Sequence, residues 1–86
     1  MLTHNVKSDK LELSHSAIRQ GLSQATLDIA KVYCSLGHFQ QAFDWCQSYL
    51  ASYTPNDQLK CIMRDIQLRT DSRSLKAQIQ KSLRGL

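Results

Sequence analysis

Apolar and polar positions along this chain alternate mainly with the three-and-four spacing of helices. The pattern is cleanest from Phe39, where Phe39, Ala42, Phe43, Cys46, Leu50 and Tyr53 form one stripe and Gln40, Gln41, Asp44, Gln47 and Ser48 take the other faces. A helix from Phe39 to about Ser52 follows. Before it, Leu22, Thr26, Ile29, Ala30, Tyr33 and Leu36 recur at helical spacing from about Ser23, and Gly37 offers a left-handed stop that a Cβ would penalise. The link between these helices is so short that they must pack antiparallel as a helical hairpin.

The flanking segments read as shorter helices. Ser8 can cap a helix over 9–20, with Leu11, Ala17 and Ile18 apolar and Gly21 just past its end, and residues 1–8 are expected to be disordered. Thr54-Pro55-Asn56-Asp57 combines a threonine N-cap, a proline at the first helical position and an acidic third position, so a helix is expected over 55–69 with Leu59, Ile62, Met63 and Ile66 inward. A last helix begins after Thr70 or Asp71, which can cap it, and Leu75, Ile79, Leu83 and Leu86 share one face. The fold class is therefore all-α, four to five short helices in one domain spanning residues 1–86, with no room for a linker or a second domain.

Composition narrows the function. The chain of 86 residues is 42% hydrophobic and 21% charged, as in globular chains, and no apolar run exceeds three residues, as in Val32-Tyr33-Cys34. Neither a transmembrane span nor a signal peptide is expected. Three Gly and one Pro leave little turn chemistry for an all-β fold. Three widely spaced cysteines, Cys34, Cys46 and Cys61, do not form the disulfide framework of a small secreted protein, and a reducing cytoplasm is the expected home.

Charge is uneven. Residues 60–86 carry +5 and residues 1–59 carry −1, and the chain as a whole is +4. The helix with Arg73, Lys76, Lys81 and Arg84 could track phosphates, which makes nucleic-acid binding a competing reading. No aromatic residue follows Tyr53, however, so this segment cannot stack bases, and a solvated basic face explains the same charges.

Other chemistry finds little footing. His4, His15 and His38 lack a nucleophile and orienting partner at recognisable spacing, and the seven acidic residues are scattered over polar faces, so no enzyme is expected. Cys34 and His38, four apart, could face a metal, but no second pair completes a tetrahedral site, and neither a metal nor a cofactor is expected. Cys46 reads as a small core residue. Trp45 lies off the main stripe and reads as a core contact, the alternative being an aromatic anchor at an interface.

The hairpin Ile29-Ala30-x-x-Tyr33-x-x-x-Gly37-x-Phe39-x-x-Ala42 resembles the tetratricopeptide repeat, in which two helices carry small residues where they cross, an aromatic wedge and a glycine at the turn. Thr26 stands at the usual tryptophan position, Tyr49 at the late small position, and Pro55 falls one residue late. An unrelated helical hairpin is the alternative. Because one repeat cannot bury its own apolar face, the resemblance implies a second, degenerate repeat built from helices 55–69 and 72–84.

In that pattern the groove-facing positions fall on Leu27, Lys31, Cys34, Cys61, Asp65 and Leu68. Leu27, Cys34, Cys61 and Leu68 would form an apolar floor with Lys31 and Arg69 at the rim, a surface for an amphipathic helix. Helix 9–20 could instead fold back and cover these residues itself.

The succession Gly37-His38-Phe39-Gln40-Gln41-Ala42, Tyr53-Thr54-Pro55-Asn56, Arg64-Asp65-Ile66-Gln67-Leu68, Ser74-Leu75 and Leu83 is similar to the tetratricopeptide-like chaperones of bacterial type III secretion needle subunits. The resemblance covers about residues 29–84. It implies a cytoplasmic protein that, with a small helical co-chaperone, sequesters the self-polymerising helix of the needle subunit. The chain is shorter than such chaperones tend to be. A core of this size seldom supplies more than about 3 to 5 kcal/mol, so association with another chain is expected.

Overall fold

A computed structural model describes residues 16–86 in full and residues 2–15 by backbone alone. The expectations for Ser8 and Leu11 as side chains lie outside what is described. The elements are α1 (Leu2–Ser35), α2 (Phe39–Ser52), α3 (Asp57–Arg69) and α4 (Arg73–Arg84). They pack in pairs, α1 on α2 and α3 on α4, and α3 also touches both α1 and α2. At 34 residues α1 is about 51 Å long, against about 21 Å for the 14 residues of α2, so it outreaches its partner. The molecule measures 61 × 26 × 16 Å.

The turn after α1 forms as its sequence requires. Gly37 has φ +81°, its N–H donates to the Cys34 carbonyl at 3.0 Å, and the His38 N–H donates to the Tyr33 carbonyl at 2.9 Å. These two bonds are those of a Schellman motif, and the Tyr33 and His38 rings meet edge to face across it. Helix α2 then covers the expected span.

Three expectations about element ends are corrected. The helix over 9–20 and the helix from Ser23 are one continuous α1: Gly21 has no positive φ, so nothing stops the helix there. The Ser23 hydroxyl donates back to the Gln20 carbonyl at 2.9 Å instead of capping a new helix. The N-cap of α3 is Asn56 and not Thr54, with Asn56 Oδ1 accepting from the Leu59 N–H at 2.8 Å, so Pro55 precedes the helix. The N-cap of α4 is Ser72 and not Thr70 or Asp71, with Ser72 Oγ accepting from the Leu75 N–H at 3.1 Å. Thr70 is buried and its hydroxyl accepts from the Ser72 N–H, which shapes the turn instead.

The core draws on every helix: Leu27, Ala30 and Cys34 from α1, Ala42, Phe43, Cys46 and Tyr49 from α2, Leu59, Ile62, Met63 and Ile66 from α3, and Leu75 and Ile79 from α4. Ala30 and Ala42 are fully buried, and their small side chains let α1 and α2 approach closely. The inward face of α1 is rotated from the expected one: Ala30 is buried and Tyr33 packs against the core as expected, but Leu22, Ile29 and Leu36 are exposed while Leu27 and Cys34 are enclosed. This helix carries two apolar stripes, and packing against α2 and α3 selected the one with the small Ala30 at its centre. Trp45 is half-buried and packs against the core, and Cys46 is fully buried. Leu83 packs at the core's edge while Leu86 is 38% exposed, outside the face it was expected to share.

Candidate binding cleft between α1 and α3

Where α3 crosses α1 the two helices leave an open cleft of about 340 Å³. Lys31, Cys34 and Ser35 line it from α1, and Gln58, Cys61, Ile62 and Asp65 from α3. Lys31, Cys34 and Ser35 share one side of α1, and Gln58, Cys61 and Asp65 recur at helical spacing on α3, so each wall is a single helix face.

A polar clasp stands on this wall. The Cys34 thiol donates to Asp65 Oδ2 at 3.2 Å, and Arg69 Nη1 donates to the same carboxylate oxygen at 3.3 Å and to Cys34 Sγ at 3.5 Å. Arg69 also lies 5.2 Å from the centre of the Phe39 ring, so one side chain of α3 reaches both α1 and the start of α2. Burial, the hydrogen bond to Asp65 and the charge of Asp65 push the Cys34 thiol up from 9.0 to about 11, against a smaller opposing effect of Arg69. Burial, with the nearby Cys34, pushes Cys46 up to about 12. Both are neutral thiols at physiological pH, which makes Cys34 a hydrogen-bond donor and not a nucleophile.

The groove residues read from the sequence fall into three groups. Lys31, Cys34 and Cys61 line the cleft together with Asp65, and Arg69 stands at its edge. Leu68 is 82% exposed, three residues beyond Asp65 on the same face of α3. Leu27 is 1% exposed and belongs to the core, so it does not form the floor. Ser35, Gln58 and Ile62 were missed; Gln58 is three residues before Cys61, and that spacing was legible once a face of α3 had been chosen.

Among the described residues, none of α1 before Lys31 lines this cleft. Arg19 Nη2 donates to the Ser52 carbonyl at 2.8 Å, and its guanidinium lies 5.1 Å from the centre of the Tyr53 ring, which ties this part of α1 to the end of α2. A second hollow lies there, lined by Ser16, Arg19, Gln20, Ser23, Tyr49, Tyr53 and Thr54. His38 packs on Tyr33 while the Cys34 thiol turns to Asp65, so these two residues do not converge on a metal. Arg73, Lys76, Lys81 and Arg84 are all exposed on α4. No helix among the described residues is long and apolar enough to cross a membrane. Compared with known proteins, the chain matches no family model, no curated protein and no solved structure.

Proposed function

We propose that this chain is a tetratricopeptide-like chaperone that holds a small helical, self-polymerising subunit of the type III secretion needle class in the cytoplasm, together with a helical co-chaperone. The observation that carries the reading is the α1–α3 cleft, where Lys31, Cys34, Cys61 and Asp65 meet and Leu68 extends the same face of α3 into solvent. A partner helix lying along α3 would bury Leu68 and the exposed Cys61, while Lys31 and the Asp65–Arg69 pair would fix its register through polar contacts. The buried small residues Ala30 and Ala42 and the left-handed Gly37 support the repeat-like hairpin. The three free cysteines fit a reducing compartment.

Mild affinity purification from the native cell, with mass spectrometry and the 260/280 nm absorbance ratio of the eluate, tests the reading. One or two small helical proteins in fixed ratio are expected. Cys61→Glu and Leu68→Glu should each weaken that interaction at least about tenfold, the order expected for a buried anchor at an interface. Because both side chains are exposed in the free protein, thermal stability should stay unchanged. Binding that survives both substitutions removes the cleft from the account. A more general helical partner would make the protein an adaptor, and an eluate rich in nucleic acid would transfer the function to α4.

A further inference from the structure

The stripe of α1 that the core left unused is itself ordered. Ile18, Leu22, Ala25, Ile29, Val32 and Leu36 follow one another at intervals of four, three, four, three and four residues. All six are exposed, Ile18, Leu22, Val32 and Leu36 by 55 to 64%. They lie about half a turn around the helix from Leu27, Ala30 and Cys34, so α2 and α3 leave them uncovered. The spacing is that of the a and d positions of a left-handed pair of helices.

We propose that a second copy of this chain covers the stripe, the two α1 helices running antiparallel about a two-fold axis level with Leu27. In that register Ile18 faces Leu36, Leu22 faces Val32 and Ala25 faces Ile29, and the symmetry repeats each pair. Every stripe residue finds an apolar partner, and the one small side chain meets a β-branched one.

Charge favours the second copy over an acidic or basic helix. The positions flanking the seam are Arg19, Thr26 and Tyr33 on one side and Gly21, Asp28 and Ser35 on the other, with no net charge between them, although the whole chain carries +4. The register brings Arg19 beside the partner's Tyr33 and Thr26 beside its own copy. Asp28 also meets its own copy, but at the rim, where water screens the pair and Gln24 donates to the carboxylate at 3.0 Å.

This inference concerns the face of α1 away from the cleft and does not depend on what the cleft binds.

Sedimentation equilibrium of the full chain under reducing conditions should give twice 9.8 kDa. Val32→Asp should sediment as a monomer with unchanged helical circular dichroism, and Val32→Ser together with Leu36→Ser serves the same purpose if the aspartate variant does not fold. Mixing Ile18→Cys and Leu36→Cys chains, each also carrying Cys61→Ser, should yield mixed disulfides on oxidation. A wild-type monomer at its highest soluble concentration overturns the proposal, as does a dimer indifferent to both sets of substitutions. Disulfides joining Ile18→Cys only to itself refute the antiparallel register. A monomer that binds a different chain, and loses it on Val32→Asp, gives the stripe to a heterologous helix and overturns the second-copy assignment.

Discussion

Gly21 and Gly37 differ in one backbone angle, and that angle decides what a methyl group would do at each. A Cβ on either would meet nothing within 4 Å, so crowding plays no part. Gly37 sits at φ +81°, where an L side chain strains against its own carbonyl, and Gly37→Ala should cost about 1 to 2 kcal/mol. Gly21 lies inside α1 without a positive φ, and Gly21→Ala should stabilise by up to about 1 kcal/mol through reduced freedom of the unfolded chain. Urea midpoints of the two variants, moving in opposite directions, check both statements. The stop at Gly37 was legible in the sequence because a turn had to follow Leu36. The stop expected at Gly21 was not real, since a glycine marks where a helix can end and the tertiary fold decides whether it does.

At the scale of elements, α2 was legible because its stripe, its start and its end agree. The start of α3 was legible only to within two residues, because Thr54 followed by Pro55 reads as a helix start although Asn56 is as good a cap. The structure selects Asn56, whose Oδ1 caps Leu59 while its Nδ2 donates to the Tyr49 hydroxyl at 3.1 Å. That hydroxyl in turn donates to the Thr54 carbonyl at 3.0 Å, so the cap of α3 is braced from α2. Asn56→Ala should therefore lower stability by about 1 kcal/mol or slightly more, whereas Thr54→Ala, which leaves the carbonyl in place, should be nearly silent. Thermal denaturation of the two variants side by side distinguishes the observed cap from the expected one.

Across the whole molecule, α1 and α3 are joined by a clasp that titrates. Cys34 keeps its proton in the folded state up to about pH 11, while an unfolded chain releases it from 9.0. Below pH 9 the thiol is protonated in both states and its contribution to stability is fully present. From pH 9 to about 11 the unfolded state alone loses the proton, and that contribution is lost; Cys46 acts in the same direction. Stability in reducing buffer should fall by on the order of 2 kcal/mol from this source between pH 8.5 and pH 10.5. Cys34→Ala should remove about half of the combined fall, Cys46 keeping its own share, which urea titrations at several pH values would reveal. The candidate cleft was legible in part for a related reason: Cys34, Cys61 and Asp65 recur at positions that the repeat pattern assigned to one surface, but Leu27 lies deeper, below Lys31.

The sequence alone determined the helical class, the hairpin at Gly37, the span of α2 and the apolar faces of α3 and α4, because each rests on spacing within a few residues or on one backbone constraint. Only the tertiary structure decided that α1 is continuous and which of its two stripes turns inward. Both stripes satisfy the helical period equally well, and periodicity within one helix carries no information about which side another helix will occupy. That choice depended on Ala30 allowing close approach to α2, on Cys34 reaching Asp65, and on Arg19 anchoring α1 to the end of α2. These are contacts between residues 12 to 33 positions apart or on different helices, where only the folded chain brings the groups together.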